Sequence, residues 1–581
     1  MLGENVESDK ERFGLQWHGK AECMRIIQQP SIATLKPARD KSSDFDKTEN
    51  LFIEGDNLEV LKLLQKSYFG KVKMIYIDPP YNTGKEFIYP DKYAETLDTY
   101  LKYTGQIDAD GRKFSTNTDT VGRYHSNWLN MMYPRLYLAR NLLRDDGVIF
   151  ISIDDNEQSN LKALCDEIFG EDDFIGCIEW NSTKSTTNTA LISVGHTHNL
   201  VYAKNKEYFI TNREHFRFSE DGSGFSNPDN NPRGPWKADP FQVGGWRPNQ
   251  QYVITNPVTK EKYKPNEGCS WKNDKVNFLR IKKDNRIVFG VSGEAGPQRK
   301  RFLTEAKERG KVSKTWWDEA ETTNKGTVTI NNLFGKKNMF SNPKPVKLIL
   351  KFIELGDHTK TGIVLDFFAG SATTAHAVMQ LNAEDGGSRK YICVQLPEPT
   401  ADDSEARKAG YKNIADIGKE RIRRAAKKIA KEQKPPENNA KPDLGFRVFK
   451  LAPSNFKVWE GEIEKIKNLQ QQLSAHVNHI EKSATAESIL YELLLKSGYP
   501  LTTTVKKIKL AKKDVFSIDD GALLICLDKS LNQEVMDAMA DKKPSRIICL
   551  DEGFKKNDQL KTNAAHTFKV RAQQEKKKSS L

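Results

Sequence analysis

The chain has 581 residues, 37% hydrophobic and 29% charged, with 91 Lys and Arg against 78 Asp and Glu for a formal net charge of +13. That length gives room for about two to four domains with real cores, and no run approaches the ~20 apolar residues of a membrane-spanning helix. The opening MLGENVESDKERFGLQW lacks the apolar segment of a secretory signal, and the seven cysteines are scattered without a CxxC pair. A cytoplasmic location with reduced thiols and no metal is therefore expected.

Residues 1–50 are polar and read as an N-terminal arm. Asn57–Leu64 has helical spacing, and Val72–Ile77 is an apolar run that reads as a buried strand. A polar loop, rich in Asp, Thr and Gly, spans about 90–122. Helical spacing returns over Trp128–Leu143, then a strand at Gly147–Ile153, a helix at Leu161–Phe169 and a strand at His198–Ala203. Alternating strands and helices imply an α/β domain with a mostly parallel sheet.

Between 206 and 335 the texture changes to Gly, Pro, Asn and aromatics without long helices. Trp236, Trp246, Trp271, Trp316 and Trp317 fall here, among basic residues such as Lys237, Arg247, Lys272, Arg280, Arg299 and Arg301. An inserted domain of short strands and loops is expected. Its aromatic and basic mixture suits DNA, although tryptophans more often fill a small core. The α/β pattern resumes with a helix at Pro345–Leu355, a strand at Gly362–Leu365, a helix at Thr373–Leu381, a strand at Lys390–Leu396 and a basic helix at Ile414–Lys431. The segment 336–434 is thus the second half of the α/β domain. A Pro- and Asn-rich linker at 435–442 sets off a tail domain, 443–581, with a helix at Ser488–Leu495 and strands at Ala522–Leu527 and Arg546–Leu550.

Two strand ends carry chemistry. The first run ends in Asp78-Pro79-Pro80-Tyr81. A base inside a duplex is out of reach of an alkylating centre until it is rotated out of the stack. An exocyclic amine then needs two acceptors for its N–H bonds, so that its lone pair leaves conjugation with the ring. The Asp78 carboxylate and the Pro79 carbonyl offer them. The prolines fix the backbone and remove competing N–H donors, and Tyr81 offers a face for stacking. A plain strand running into a proline turn would give the same tetrapeptide.

The second strand ends in Asp366-Phe367-Phe368-Ala369-Gly370-Ser371. A small-residue turn between strand and helix admits a ligand close to the backbone, and Ser371 is placed to cap the helix. No GxGxxG is present, which argues against a nicotinamide or flavin fold.

With these motifs and their order, the chain resembles the modification (Mod) subunits of type III restriction-modification systems, β-class DNA adenine-N6 methyltransferases. Matching segments are Asn50–Leu61, Met74–Gly84, Trp128–Leu136, Asp146–Asp155, Phe340–Pro345, the 364–377 loop and helix, and Val394–Glu398, with Ser488–Leu495 and Asn557–Asn563 in the tail. The resemblance implies a Rossmann-like α/β sheet with permuted motif order, catalytic half (51–205) first, then a target-recognition domain (206–335), then the cofactor half. It implies S-adenosylmethionine as cofactor, held by Asp366 to Ser371, with Phe340, Pro343 and Lys344 starting a segment that packs against it. It also implies double-stranded DNA as substrate, a homodimer, and a separate restriction (Res) helicase-nuclease partner, the tail being a contact for either. Two positions depart from the family pattern. Ala372 replaces a second glycine, tolerable if it lies within the helix. Gln395 replaces an acidic ribose ligand, with Glu398 as its rival.

Cytosine-N4 methylation uses the same geometry, and a non-catalytic recognition subunit is the third reading. Among other residues, Lys419, Arg421, Arg423, Arg424, Lys427 and Lys428 form either a DNA-contacting or a solvated helix face. His196 and His198 have no ligand company in sequence and read as structural. Asp154-Asp155 reads as a strand-end turn rather than a metal site.

Overall fold

The computed structural model describes residues 14–83, 124–290, 292–432, 441–457, 480–555 and 557–578; the polar loop expected at 90–122 lies outside them. Ten strands build the central sheet: β1 Ala33–Pro37, β2 Leu51–Glu54, β3 Val72–Ile77, β4 Leu143–Ile153, β5 Phe174–Trp180, β6 Thr197–Ala203, β7 Trp316–Trp317, β8 Ile363–Asp366, β9 Lys390–Gln395 and β10 Arg447–Pro453. Their order is β1-β10-β2-β9-β8-β3-β4-β6-β5-β7. The six strands from β10 to β4 run parallel, and β1 and β6 are antiparallel to their inner neighbours.

Parallel strands are covered on both faces and so read as unbroken apolar runs. Every residue of β3 is buried. Alternation sends Ile75 and Ile77 into one core, with α2 (Asn57–Tyr68) and α3 (Tyr124–Leu142). Tyr76 faces the other way and stacks on Phe352 of a helix at Val346–Gly356, ring centroids 5.6 Å apart. The helices that bear on the site follow on that side: α4 Thr323–Phe334, α5 Val346–Gly356, α6 Thr373–Asp385 and α7 Ile414–Glu432.

β8 and β3 are adjacent and parallel, but the chain leaves β8 toward β9 and leaves β3 toward β4. Strand order reverses between them, which opens a crevice beyond their carboxyl ends. Asp366 and Asp78 stand at those two ends.

The tail differs from expectation. Instead of a separate domain from 443, β10 enters the central sheet between β1 and β2, and a helix at Ala486–Ser497 packs on α2 and β1. Phe446, Val448, Phe449 and Leu451 are buried, and that apolar run drives the insertion. Only beyond it comes a second, four-stranded sheet: β11 Val505–Leu510, β12 Lys513–Ile518, β13 Leu523–Cys526 and β14 Arg546–Cys549. The N-terminal arm likewise contributes a helix, Lys20–Gln28, and the edge strand β1.

The inserted unit is Phe209–Lys314, shorter than the 206–335 expected, because Trp316–Trp317 pairs in parallel with β5 and α4 packs on α7. Within the insert, Gln298–Phe302 pairs antiparallel with Trp236–Pro240 and Ile287–Val288. Trp271, Phe241, Phe278 and Ile254 form its core, whereas Trp246 is exposed. All seven cysteines are free thiols, and among the described residues no helix is long and apolar enough to cross a membrane.

Candidate active site

Asp78, Pro79, Pro80 and Tyr81 leave β3 into a cleft of about 630 Å³, lined on the opposite wall by Asp366, Phe368, Ala369, Gly370 and Ser371 and roofed by Phe340–Lys344. Trp128 Nε1 donates to the Pro80 carbonyl at 2.7 Å, which fixes the turn. Among the described residues the Pro79 carbonyl accepts no hydrogen bond, so it stays available. Tyr81 donates to Asp78 Oδ1 at 2.9 Å. Lys344 Nζ lies 2.6 and 2.7 Å from the two Asp78 oxygens, donates to the Tyr81 hydroxyl at 2.8 Å, and sits over the Tyr81 ring. Burial, then the Asp78 charge, pushes the Tyr81 phenol well up, so it remains a neutral donor.

The loop after β8 is braced from within. Asp366 is buried; its Oδ2 accepts from Thr374 Oγ1 at 2.5 Å and its Oδ1 from the Phe368 backbone N–H at 3.1 Å. Desolvation pushes its carboxyl up to about 7. Gly370 takes φ +50°, and a methyl group there would stand 3.4 Å from the Phe340 ring. Ala372 is outside the helix rather than within it: it caps α6 at φ 60°, ψ 45°. That left-handed conformation favours glycine, which makes Ala372 a strained substitute.

Gln395 is engaged by the loop. Its Oε1 accepts from the Gly370 N–H at 2.6 Å and its Nε2 donates to the Leu396 carbonyl at 3.1 Å. Glu398 lines the cleft, and burial pushes its carboxyl up. Phe367 is buried beneath the cleft instead of lining it, and its carbonyl accepts from Asn57 Nδ2 at 2.6 Å.

Asn57 was not expected at the site. Asp56 caps α2 through Leu58 N–H at 2.9 Å and also meets Arg135 Nη2 at 3.2 Å, while Arg135 Nε donates to Asn57 Oδ1 at 2.5 Å. This buried triad holds the loop from below. The sequence signal was present in the Asn50–Leu61 and Trp128–Leu136 segments, but only the fold joins them.

The basic helix α7 corrects the expectation of an open basic face. Lys419 and Arg421 are buried, Lys419 against Glu54 at 2.6 Å and Asp416 at 2.9 Å. His196 and His198 are also less isolated than expected. Paired strands bring Cys177, Glu179 and Asp155 to them. His198 Nε2 and Nδ1 lie 2.8 Å from Asp155 and Glu179, which raise its pKa against the lowering effect of burial. An imidazole with a carboxylate beside each ring nitrogen already ties that cluster together. Asp154 accepts from the Asn156 N–H at 3.0 Å, as a strand-end turn should.

A family model described as DNA methylase matches residues 72–406, more than half of the chain and both walls of the cleft. The chain belongs to this DNA methylase family. The methylase is 36% identical over 470 residues to the type III restriction-modification enzyme StyLTI Mod subunit of Salmonella typhimurium, covering 78% of this chain and 68% of the relative. It is 33% identical over 616 residues to the EcoP15I Mod subunit of Escherichia coli, covering 97% and 90%. The EcoPI Mod subunit of Escherichia phage P1 is 33% identical over 611 residues, covering 97% and 91%. The methylase is thus Mod-like along nearly its whole length.

Proposed function

We propose that this methylase methylates the N6 amine of adenine in duplex DNA, as the modification and recognition subunit of a type III restriction-modification system. The observation that carries this is one cleft lined both by Asp78 and Pro79 and by residues of the Asp366–Ser371 loop.

The cofactor is S-adenosylmethionine, which when bound supplies an electrophilic methyl group on a sulfonium. The residues fit it. The volume is that of a nucleoside-sized site, Gly370 brings the backbone close, and Phe340 and Phe368 offer apolar walls. Of the two ribose candidates Glu398 is favoured, because both ends of the Gln395 amide are occupied by the loop.

The residues then divide the work. Tyr81 stacks against an extruded base. Asp78 accepts one amine N–H and the Pro79 carbonyl the other, which turns the nitrogen lone pair out of the ring plane. Asp78 is placed to hold the proton that the amine gives up when its new bond to carbon forms. Lys344, now on Asp78, shifts along the carboxylate or to Tyr81 to admit the amine.

Unit 209–314 is proposed as the target-recognition element, with exposed Trp246, Arg247, Lys237 and Lys272 available to DNA. We further propose a homodimer, a cytoplasmic location and a Res helicase-nuclease as partner. Labelled methyl transfer to DNA followed by nucleoside mass spectrometry tests the central claim. N6-methyldeoxyadenosine is the expected product; N4-methyldeoxycytidine would move the assignment to the other amine, and no transfer would refute it.

A further inference from the structure

Four ligand-type side chains meet where strands β5 and β6 pair. Cys177 and Glu179 stand two residues apart on β5, so they share one face of the sheet, and His196 and His198 share a face in the same way. The antiparallel register sets Glu179 directly opposite His198. Cys177 Sγ, a Glu179 carboxylate oxygen and a His198 ring nitrogen all lie within 4.8 Å of one another. His196 Nε2 lies 3.7 Å from Glu179 Oε2, the same oxygen that stands 2.8 Å from His198 Nδ1.

Proton positions separate this cluster from a plain ion pair. His198 Nε2 bonds to Asp155 Oδ1 at 2.8 Å, and a carboxylate only accepts, so Nε2 carries the proton. On the other side of the ring, His198 Nδ1 and Glu179 Oε2 are buried atoms without a hydrogen-bond partner, although they are 2.8 Å apart. They are close but not aligned for a shared proton. An imidazole whose far N–H is held by a carboxylate, and whose near nitrogen faces other ligands, has the surroundings of a metal-bound histidine. A tetrahedral zinc ion keeps N, O and S ligand atoms roughly 3.3–3.6 Å apart, so a small opening of the Nδ1–Oε2 contact seats it. A thiol beside imidazoles selects zinc over magnesium or calcium, which take oxygen ligands.

We propose that Cys177, Glu179, His196 and His198 bind a zinc ion, with Asp155 holding the His198 ring from behind. The ion takes the place of the thiol proton, which leaves to solvent. Four protein ligands make a closed, structural site. None of the five residues lines the methyl-transfer cleft, so the ion takes no part in that chemistry. It clamps β5 to β6 at the root of the turn 181–196, whose neck is closed by the Thr183 N–H donating to the Gly195 carbonyl at 3.1 Å and whose Leu191 and Ile192 are exposed. That turn leaves the same end of the sheet as Asp78, because His198 pairs with Ile153 of β4, two residues beyond the Ile151 that pairs with Ile77.

Full-length protein stripped by a chelator should take up one zinc ion per chain, read by competition with a chromophoric chelator and by elemental analysis. Cobalt(II) in its place should show the intense near-ultraviolet band of thiolate coordination. Cys177→Ser should remove that band and weaken zinc binding by more than about 100-fold, since loss of an outer-shell partner alone costs about 10-fold to 100-fold. Asp155→Ala should fall within that lower range and keep the band. Cys269→Ser, which alters a free cysteine of the inserted unit, should change neither. Zinc should raise the thermal midpoint of wild type and not that of Cys177→Ser. If Cys177→Ser does not fold, His196→Ala at a half-buried position serves in its place, with zinc binding again weakened by more than about 100-fold. Failure of wild type to take up stoichiometric zinc, cobalt uptake without the thiolate band, or wild-type affinity in the folded variant overturns the site.

Discussion

Lys344 Nζ holds both carboxylate oxygens of Asp78, at 2.6 and 2.7 Å, and bridges them to the Tyr81 hydroxyl at 2.8 Å. The ammonium does two opposing things. It fixes the carboxylate in one orientation, and it occupies the oxygens that an incoming amine must use. Orientation should dominate, because the ammonium can slide to the Tyr81 hydroxyl without leaving the site. Lys344→Met is therefore expected to lower kcat by about 10-fold to 100-fold, the scale of a misplaced reacting group. DNA affinity should change by less than about three-fold. Single-turnover methylation beside an equilibrium binding titration separates the two; an unchanged rate would mean that Asp78 orients itself.

Asp78→Ala removes the acceptor outright. Loss of one positioned catalytic hydrogen-bonding group costs on the order of 10²–10³ in rate, and here the acceptor is also the proton's destination, so methyl transfer should fall at least that far. Binding to DNA should persist, since phosphate contacts supply most of the affinity. Gel-shift and tritium-transfer assays on the same preparation check this. Loss of both together would assign Asp78 a structural task.

The Asp366 carboxyl titrates near 7 in the folded protein against an ordinary 3.8. Between those values the folded state binds the extra proton, so stability should fall as pH rises from about 4 to about 7 and level off above. The whole effect is roughly a few kcal/mol. His198, with its pKa raised by Asp155 and Glu179, adds a decline of the same sign above its ordinary 6.5. The difference between wild type and Asp366→Asn therefore isolates the carboxyl. Denaturant melts at pH 5 and pH 8 should show the wild type losing more stability than the variant across that interval.

Ala372 holds a left-handed backbone at φ 60° in a fully buried position. That conformation costs a residue with a Cβ about 1–2 kcal/mol. Glycine removes the strain but adds roughly 0.4–1 kcal/mol of unfolded-state entropy. Ala372→Gly should thus be neutral or stabilising by up to about 1 kcal/mol, with methylation retained, as a thermal melt and a rate assay would report.

How far the sequence reaches depends on where its partners lie. Strand β3, buried at every position, and helix α7, with its amphipathic period, are visible as local patterns. So are Asp78 and Asp366, because each ends such a strand. Strand β5 was missed because its residues, mostly apolar but mostly half-buried, show no alternation that marks a buried face, and β10 because it follows a linker that suggested a new domain. The Lys344–Asp78 pair joins residues 266 apart, and no local pattern encodes that contact. Arg421 was hidden by its neighbours: in a run of basic residues nothing local distinguishes the buried cation from solvated ones. Ligand-type side chains around His198 escaped notice for a related reason, being shared among β5, β6 and the turn after β4.

Gly326 tests whether the cleft's roof is held by packing at a distance. It lies in α4 and does not line the cleft, yet a methyl group on it would stand 2.0 Å from the Pro343 carbonyl oxygen and 3.0 Å from the Lys344 carbonyl carbon. Backbone has no rotamer with which to escape, so Gly326→Ala must displace the 340–344 segment or α4 itself. Displacement of that segment moves Phe340 off Gly370 and Lys344 off Asp78 together. The variant should stay folded, since overpacking of this kind costs about 1–3 kcal/mol. Its S-adenosylmethionine affinity and its methylation rate should each drop by about 10-fold or more, while Gly176→Ala in β5, with open space around it and no left-handed φ, should leave both unchanged. If Gly326→Ala matches wild type in calorimetry and turnover, the roof is not set by its contact with α4.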